Sequence, residues 1–143
     1  MNTAKPSKPL KDSGFDGVTA LVVEDNDFVR DLVANQLKQI GFSRVITATD
    51  GEAALQIIAE ITPGLMICDI NMEPMSGFEL IRRLRDQGKS GFQKIPTIVL
   101  TSHAVPEFID RAKLLEVDAF LVKPVKKDAL ADRIRTVLAR RFS

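Results

Sequence analysis

The chain has 143 residues, 45% of them hydrophobic, which fits one domain with a real buried core. Lys and Arg number 20 against 19 Asp and Glu, a net charge of +1, so neither direct nucleic-acid binding nor attachment to an anionic membrane is expected. The single cysteine, Cys68, lies in an apolar run and excludes an internal disulfide, and no segment has the length of a signal peptide or a bilayer span, so a cytoplasmic location is the simplest expectation.

Residues 1–17, rich in Lys, Pro, Ser, Gly and Asp, read as a flexible leader to a domain over 18–143. Val18–Val23 is an apolar strand. Asn26 or Asp27 can cap a helix in which Phe28, Leu32, Val33, Leu37 and Ile40 recur at helical spacing, and Gly41 stops it. A short strand, Val45–Ala48, precedes a helix capped by Asp50 and ended by Pro63-Gly64. Leu65–Asp69 is the third strand, and after the loop 70–76 a helix carries Phe78, Leu80, Ile81 and Leu84. A polar loop, Gly88–Lys94, leads to a β-branched strand, Pro96–Thr101, then to a short helix from Pro106 to about Leu115. Asp118–Val122 is the fifth strand, and a last helix from Asp128 carries Leu130, Ile134, Val137 and Leu138 on one face. Five strand–helix units joined by right-handed crossovers make an α/β domain, a parallel sheet with helices on both faces.

Three strands end in charge: Leu21-Val22-Val23 in Glu24-Asp25, Leu65–Cys68 in Asp69, and Ala119–Val122 in Lys123-Pro124. Ligands of such sheets bind at the carboxyl edge, where these ends emerge. Three carboxylates gathered there repel one another unless a proton or a cation intervenes. Mg²⁺, which takes one or two carboxylates together with waters and phosphate oxygens, suits Glu24, Asp25 and Asp69. Lys123 can pair with Asp69 in an empty site and with phosphate oxygens in a filled one, and Thr101 offers a hydroxyl to the same anion. Asp69 is then the nucleophile toward phosphorus, its charge neutralised by metal and lysine.

Four stretches in order carry a resemblance: Leu-Val-Val-Glu24-Asp25-Asn26-Asp27, Met-Ile-Cys-Asp69 through Pro74-Met-Ser-Gly77, Ile-Val-Leu-Thr101-Ser102, and Phe120-Leu-Val-Lys123-Pro124. Asp25 and Asp69 are 44 residues apart, and Thr101 and Lys123 are 22 apart. Over about residues 18–141 the chain resembles the receiver domain of two-component response regulators, a CheY-like, flavodoxin-like (βα)5 fold. The resemblance, not the residue pattern, supplies the strand order 2-1-3-4-5. It implies that Asp69 accepts a phosphoryl group from a histidine kinase or phosphotransfer protein. It further implies that Glu24, Asp25, Asp69 and the backbone carbonyl of Asn71 hold Mg²⁺, that Thr101 and Lys123 contact the phosphoryl oxygens, and that Thr101 and Phe120 form the switch. The Lys123–Pro124 bond is a candidate cis peptide, and Gly77 matches a glycine of the family.

Phe120 lacks the hydroxyl of the tyrosine often found there and is otherwise a plain core residue. His103, the only histidine, either borders the phosphate, where with Asn71 it tunes phosphate lifetime or reads pH, or is an exposed loop side chain. Met72, Glu73 and Met75 shape the loop. The face made by Pro106–Glu116, the fifth strand and the last helix is the family's output surface, and Glu107, Asp110, Arg111 and Lys113 on it also read as solvated charges. The implied role is a phosphoacceptor switch for a downstream protein target, not an enzyme on external substrates, with homodimerisation through this face left open. With Phe142-Ser143 following the last helix, the chain is either a stand-alone receiver or a fragment of a longer regulator with a separate output domain. A haloacid-dehalogenase-type aspartyl-phosphate hydrolase needs an acid two residues beyond the nucleophile, where Asn71 stands. A flavin carrier of the same fold lacks Trp and Tyr for stacking, and a phosphate-independent interaction module has no need of the acid–Thr–Lys set.

Overall fold

The computed structural model describes residues 15, 17–86 and 95–142. The expected leader up to residue 14 and the expected loop 88–94 lie outside the described residues. Five strands alternate with five helices: β1 Thr19–Val23, α1 Asp27–Ile40, β2 Arg44–Ala48, α2 Gly51–Glu60, β3 Leu65–Asp69, α3 Gly77–Asp86, β4 Thr97–Thr101, α4 Pro106–Leu114, β5 Ala119–Val122 and α5 Lys127–Phe142. All pairings are parallel and the order is β2-β1-β3-β4-β5, the doubly wound sheet implied by the resemblance.

The continuous apolar runs of β1, β3 and β4 are those of strands covered on both faces, and every residue of the three is buried. Alternate side chains feed two cores. Leu21, Val23, Met66, Cys68 and Val99 pack with Ala54, Ile58, Phe78, Ile81 and Ala112 of α2, α3 and α4. Ala20, Val22, Leu65, Ile67, Ile98 and Leu100 pack with Val33, Leu37, Leu130, Ile134 and Val137 of α1 and α5. Cys68 is the small buried hydrophobe its setting predicts, its thiol pKa raised by burial first and by the charges of Asp69 and Glu24 after that.

Local chemistry sets the helix ends. The side chain of Asn26 accepts from the amide of Val29, and that of Asp50 accepts from the amide of Ala53, closing the first turns of α1 and α2. Gly41 ends α1 at φ 134°, a conformation that costs glycine little. Pro106 opens α4, where its absent N–H leaves one fewer amide to satisfy, and Val105 before it gives no side-chain cap, its carbonyl accepting from the amides of Phe108 and Ile109.

Two expectations change. Phe28, on the apolar stripe expected of α1, is 76% exposed. It sits in the first turn, at the carboxyl edge of the sheet, where the underlying strand has already ended. Phe15, placed within the flexible leader, is 7% exposed and stacks on Phe42, ring centroids 4.6 Å apart. Ordered packing therefore starts before the strand, because one aromatic reaches the core groove amid polar neighbours.

Candidate functional site

Strand register brings the charged ends level. Val23 pairs with Cys68, so Glu24 leaves β1 beside Asp69 at the end of β3. Thr101 pairs with Val122, so Lys123 leaves β5 beside the end of β4. The amide of Lys123 donates to the carbonyl of Thr101 at 2.8 Å, and that of Glu24 to the carbonyl of Ala48 at 3.1 Å. Five side chains expected to share a site thus stand along one sheet edge, held by ladder hydrogen bonds.

Glu24 and Asp69 are buried, while Asp25 is exposed. One carboxylate oxygen from each can be chosen so that the three lie within 4.8 Å of one another. The Lys123 ammonium lies 3.1 Å from Asp69 Oδ1 and 3.2 Å from Glu24 Oε1. Charge attraction is strong at that range, the ammonium stands off the ideal hydrogen-bond direction, and among the described residues no other group donates to either buried oxygen.

The electrostatics follow. Burial pushes the Glu24 carboxyl up to about 7; the Asn26 amide pulls it down, the Asp69 charge pushes it up again and Lys123 opposes. Partial burial works against the Lys123 ammonium, but Asp69 and then Glu24 outweigh it and hold its pKa above the ordinary value. The acids carry more negative charge than one lysine satisfies, which is the electrostatic character of a hard-cation site.

Gly77, at the start of α3, has a steric reason. A Cβ there would collide with the carbonyl oxygen of Asp69, so α3 crosses directly behind the candidate nucleophile. The Thr101 side chain is buried, its hydroxyl donating to the carbonyl of His103 at 2.9 Å and accepting from the amide of His103 at 3.2 Å. The His103 and Asn71 side chains are exposed, and in His103 it is the main chain that touches Thr101. Phe120 is half-buried and packs on the core beneath α3 and α4. Lys123–Pro124 is cis, as is Glu73–Pro74, which sequence reading did not single out. Arg111 is exposed but not merely solvated, since its guanidinium stands 4.6 Å from the centre of the Phe78 ring.

Two contributors escaped the sequence reading. Arg30 donates to the carbonyl of Glu24 at 3.0 Å and pairs with Asp27 at 2.6 Å, bracing the turn that carries the acids. Gln36, buried on α1, donates to the carbonyl of Val125 at 3.1 Å. The readable signal for Gln36 was a polar residue on the stripe of Val33, Leu37 and Ile40, and for Arg30 it was an acid three residues earlier, Asp27, at helical pairing distance.

The family description "Response regulator receiver domain" matches residues 20–135. The chain belongs to that family. This receiver is similar to the chemotaxis protein CheY4 of Vibrio cholerae, with TM-score 0.78 and 31% identity over 84% of this chain and 98% of that one. It is also similar to the receiver domain of the histidine kinase CKI1 from Arabidopsis thaliana, with TM-score 0.78 and 28% identity over 92% of this chain and 96% of that one. Among curated proteins it is 31% identical to the sensor histidine kinase RcsC of Salmonella typhi over 97% of this chain and 15% of that protein. It is 36% identical to the Regulator of RpoS of Escherichia coli over 77% of this chain and 31% of that protein. The receiver thus spans from about a seventh to about a third of these two relatives. As a receiver domain of two-component signal transduction, it belongs to a family of phosphoacceptor switches. No described helix is long and apolar enough to cross a membrane.

Proposed function

We propose that Asp69 is the phosphoacceptor and that the domain is a switch set by its phosphorylation. A carboxylate oxygen of Asp69 attacks the phosphorus of a phosphohistidine on a histidine kinase or phosphotransfer protein. The P–N bond breaks, its electron pair stays on the imidazole nitrogen, and that nitrogen takes a proton from solvent. Lys123 and the Thr101 hydroxyl hold the transferred oxygens, so the hydroxyl must leave the carbonyl of His103. That movement draws the β4–α4 connection inward and lets Phe120 repack, biasing the face formed by α4, β5 and α5. Leu114, 83% exposed, and Val122, 48% exposed, give that face apolar surface for a downstream protein or a second copy of the domain.

Glu24, Asp25 and Asp69, with the main-chain carbonyl of Asn71, would hold Mg²⁺. Each of the three acids offers a carboxylate oxygen within 4.8 Å of the others, a donor set that fits a hard cation. When bound, Mg²⁺ supplies the positive charge that lets a phosphoryl group approach an acidic cluster. The solved CKI1 receiver carries Mg²⁺ and BeF3−, which supports the same ligand class here. Asn71 and His103 border the open side and tune how fast water removes the phosphoryl group. The domain performs only this self-directed transfer and the hydrolysis of its own aspartyl phosphate to aspartate and inorganic phosphate, in the cytoplasm, alone or within a longer regulator. Hydrolysis of external substrates is disfavoured because Asn71 has no proton to trade.

The observation that carries this reading is the Lys123 ammonium lodged between buried Glu24 and Asp69. Mass spectrometry after acetyl phosphate and Mg²⁺ tests it: wild type gains one phosphoryl mass and Asp69→Asn none. An equal gain in Asp69→Asn would end the assignment.

A further inference from the structure

We infer that Gln36 is a positioning residue for Lys123, an inference resting on the role proposed above for that lysine. Gln36 lies in the middle of α1, 89 residues from Val125 in sequence, on a helix that contributes none of the proposed ligands. Its side-chain amide donates to the carbonyl of Val125 at 3.1 Å in a buried contact. Val125 stands two residues beyond Lys123, and its own side chain is buried against the α1 and α5 core. On the other side the amide of Lys123 is held by the carbonyl of Thr101 at 2.8 Å. The segment 123–125 is therefore pinned at both ends, to β4 at the lysine and to α1 at Val125. One turn along the same helix, Gln39 accepts from the ammonium of Lys127 at 3.2 Å, so α1 also touches the first residue of α5, just past this connection.

The other half of the Gln36 amide shows that the contact is not simple packing. Its carbonyl oxygen is buried with no hydrogen-bond partner among the described residues. Such an oxygen lowers stability, and a leucine or methionine of similar volume would cover the same surface without it. What an apolar side chain cannot do is hold the Val125 carbonyl at a fixed direction. Lys123 reaches its two carboxylates through a flexible four-carbon stem, so the place from which the stem starts decides whether the ammonium sits between them. α1 also begins at the acid turn, where Arg30 grips the carbonyl of Glu24. One rigid helix thus spans from the acids to the lysine segment and sets their separation.

The experiment uses the full chain with Gln36→Met, which keeps volume and removes the donor, and Gln36→Ala, which opens space, each alone and combined with Lys123→Ala. Phosphoryl gain from acetyl phosphate at saturating Mg²⁺ is followed by mass spectrometry, and Mg²⁺ affinity by calorimetry. Gln36→Met is expected to slow phosphorylation about 3- to 10-fold, since small misplacements of an aligned group cost at least that. Mg²⁺ affinity should stay within about twofold, because the acids are braced separately, and the Lys123→Ala background should show no further slowing from either Gln36 change. An undiminished rate, or the same fold-loss with and without Lys123, overturns the inference. Loss of cooperative folding in both Gln36 variants overturns it as well, since the contact would then serve the fold. If Lys123→Ala itself phosphorylates at the wild-type rate, the proposed role of the lysine fails and takes this inference with it. A slow Lys123→Ala with fast Gln36 variants rejects Gln36 alone.

Discussion

At the scale of single residues, burial gives the candidate site its pH behaviour. Glu24 in the folded chain takes a proton near pH 7, above the ordinary 4.5 of an exposed glutamate. A raised carboxyl pKa means that the folded state binds the proton more tightly than the unfolded one. Its contribution to stability is complete below about pH 4.5 and is lost as pH rises through about 7. Denaturant melts followed by circular dichroism in chelator, between pH 5 and 8, should show wild type losing stability relative to Glu24→Gln by up to a few kcal/mol. Parallel curves would contradict the buried-carboxyl account. The pair Glu79 and Arg82 titrates identically in both proteins and cancels from that difference. Gly77→Ala is the second residue-scale prediction. The added methyl meets the main-chain carbonyl of Asp69, and a Cβ is fixed in place by its own main chain, so neither side yields easily. A loss of about 1–3 kcal/mol is expected, with slower phosphoryl uptake because Asp69 itself is displaced. Unchanged melting and unchanged uptake would show that α3 can shift away freely.

At the scale of elements, the end of β4 and the connection to α4 carry the proposed switch. The Thr101 hydroxyl cannot serve the His103 carbonyl and a phosphoryl oxygen in full at once. Addition of BeF3− and Mg²⁺ should move NMR signals of Phe120 and α4 in wild type, while in Thr101→Val the changes should stay within the acid and lysine loops. Movement of α4 signals in Thr101→Val would separate the switch from this hydroxyl. His103→Ala should leave those shifts in place, because the contact to Thr101 is made by main chain, yet change the decay of the phosphorylated form by a few-fold. Identical decay would return the exposed imidazole to solvent. Helix α1 shows where element-level reading of a sequence succeeds and where it stops. Asn26, Val33, Leu37 and Gly41 do what their spacing announces: cap, core, core and stop. Phe28 repeats the same apolar period yet faces solvent, because periodicity reports the angle of a side chain around the helix and not whether a strand lies beneath it.

At the scale of the whole molecule, stability rests on two cores on either side of one sheet, and a residue outside the regular elements completes one of them. Phe15 stacks on Phe42 in the α1 and α5 core. Phe15→Ala should lower unfolding free energy by about 2–3 kcal/mol while leaving acetyl phosphate uptake unchanged at temperatures where the variant is folded. A stability loss within error would place Phe15 outside the folding unit. The alternation of apolar runs with helical periods, the caps, and charges at three strand ends were all written in the residue order, because each depends on neighbours a few positions away. Strand order came from family resemblance. Register, which levels Glu24 with Asp69 and Thr101 with Val122, required the assembled sheet. So did the Gln36 contact and the packing of Phe15, since each joins a side chain to a partner whose position exists only after crossover helices have closed. Local propensity and hydrophobic period decide which elements form and which chemical groups they carry, whereas distances between those groups are set by long-range pairing and packing, for which the chain order holds no ruler.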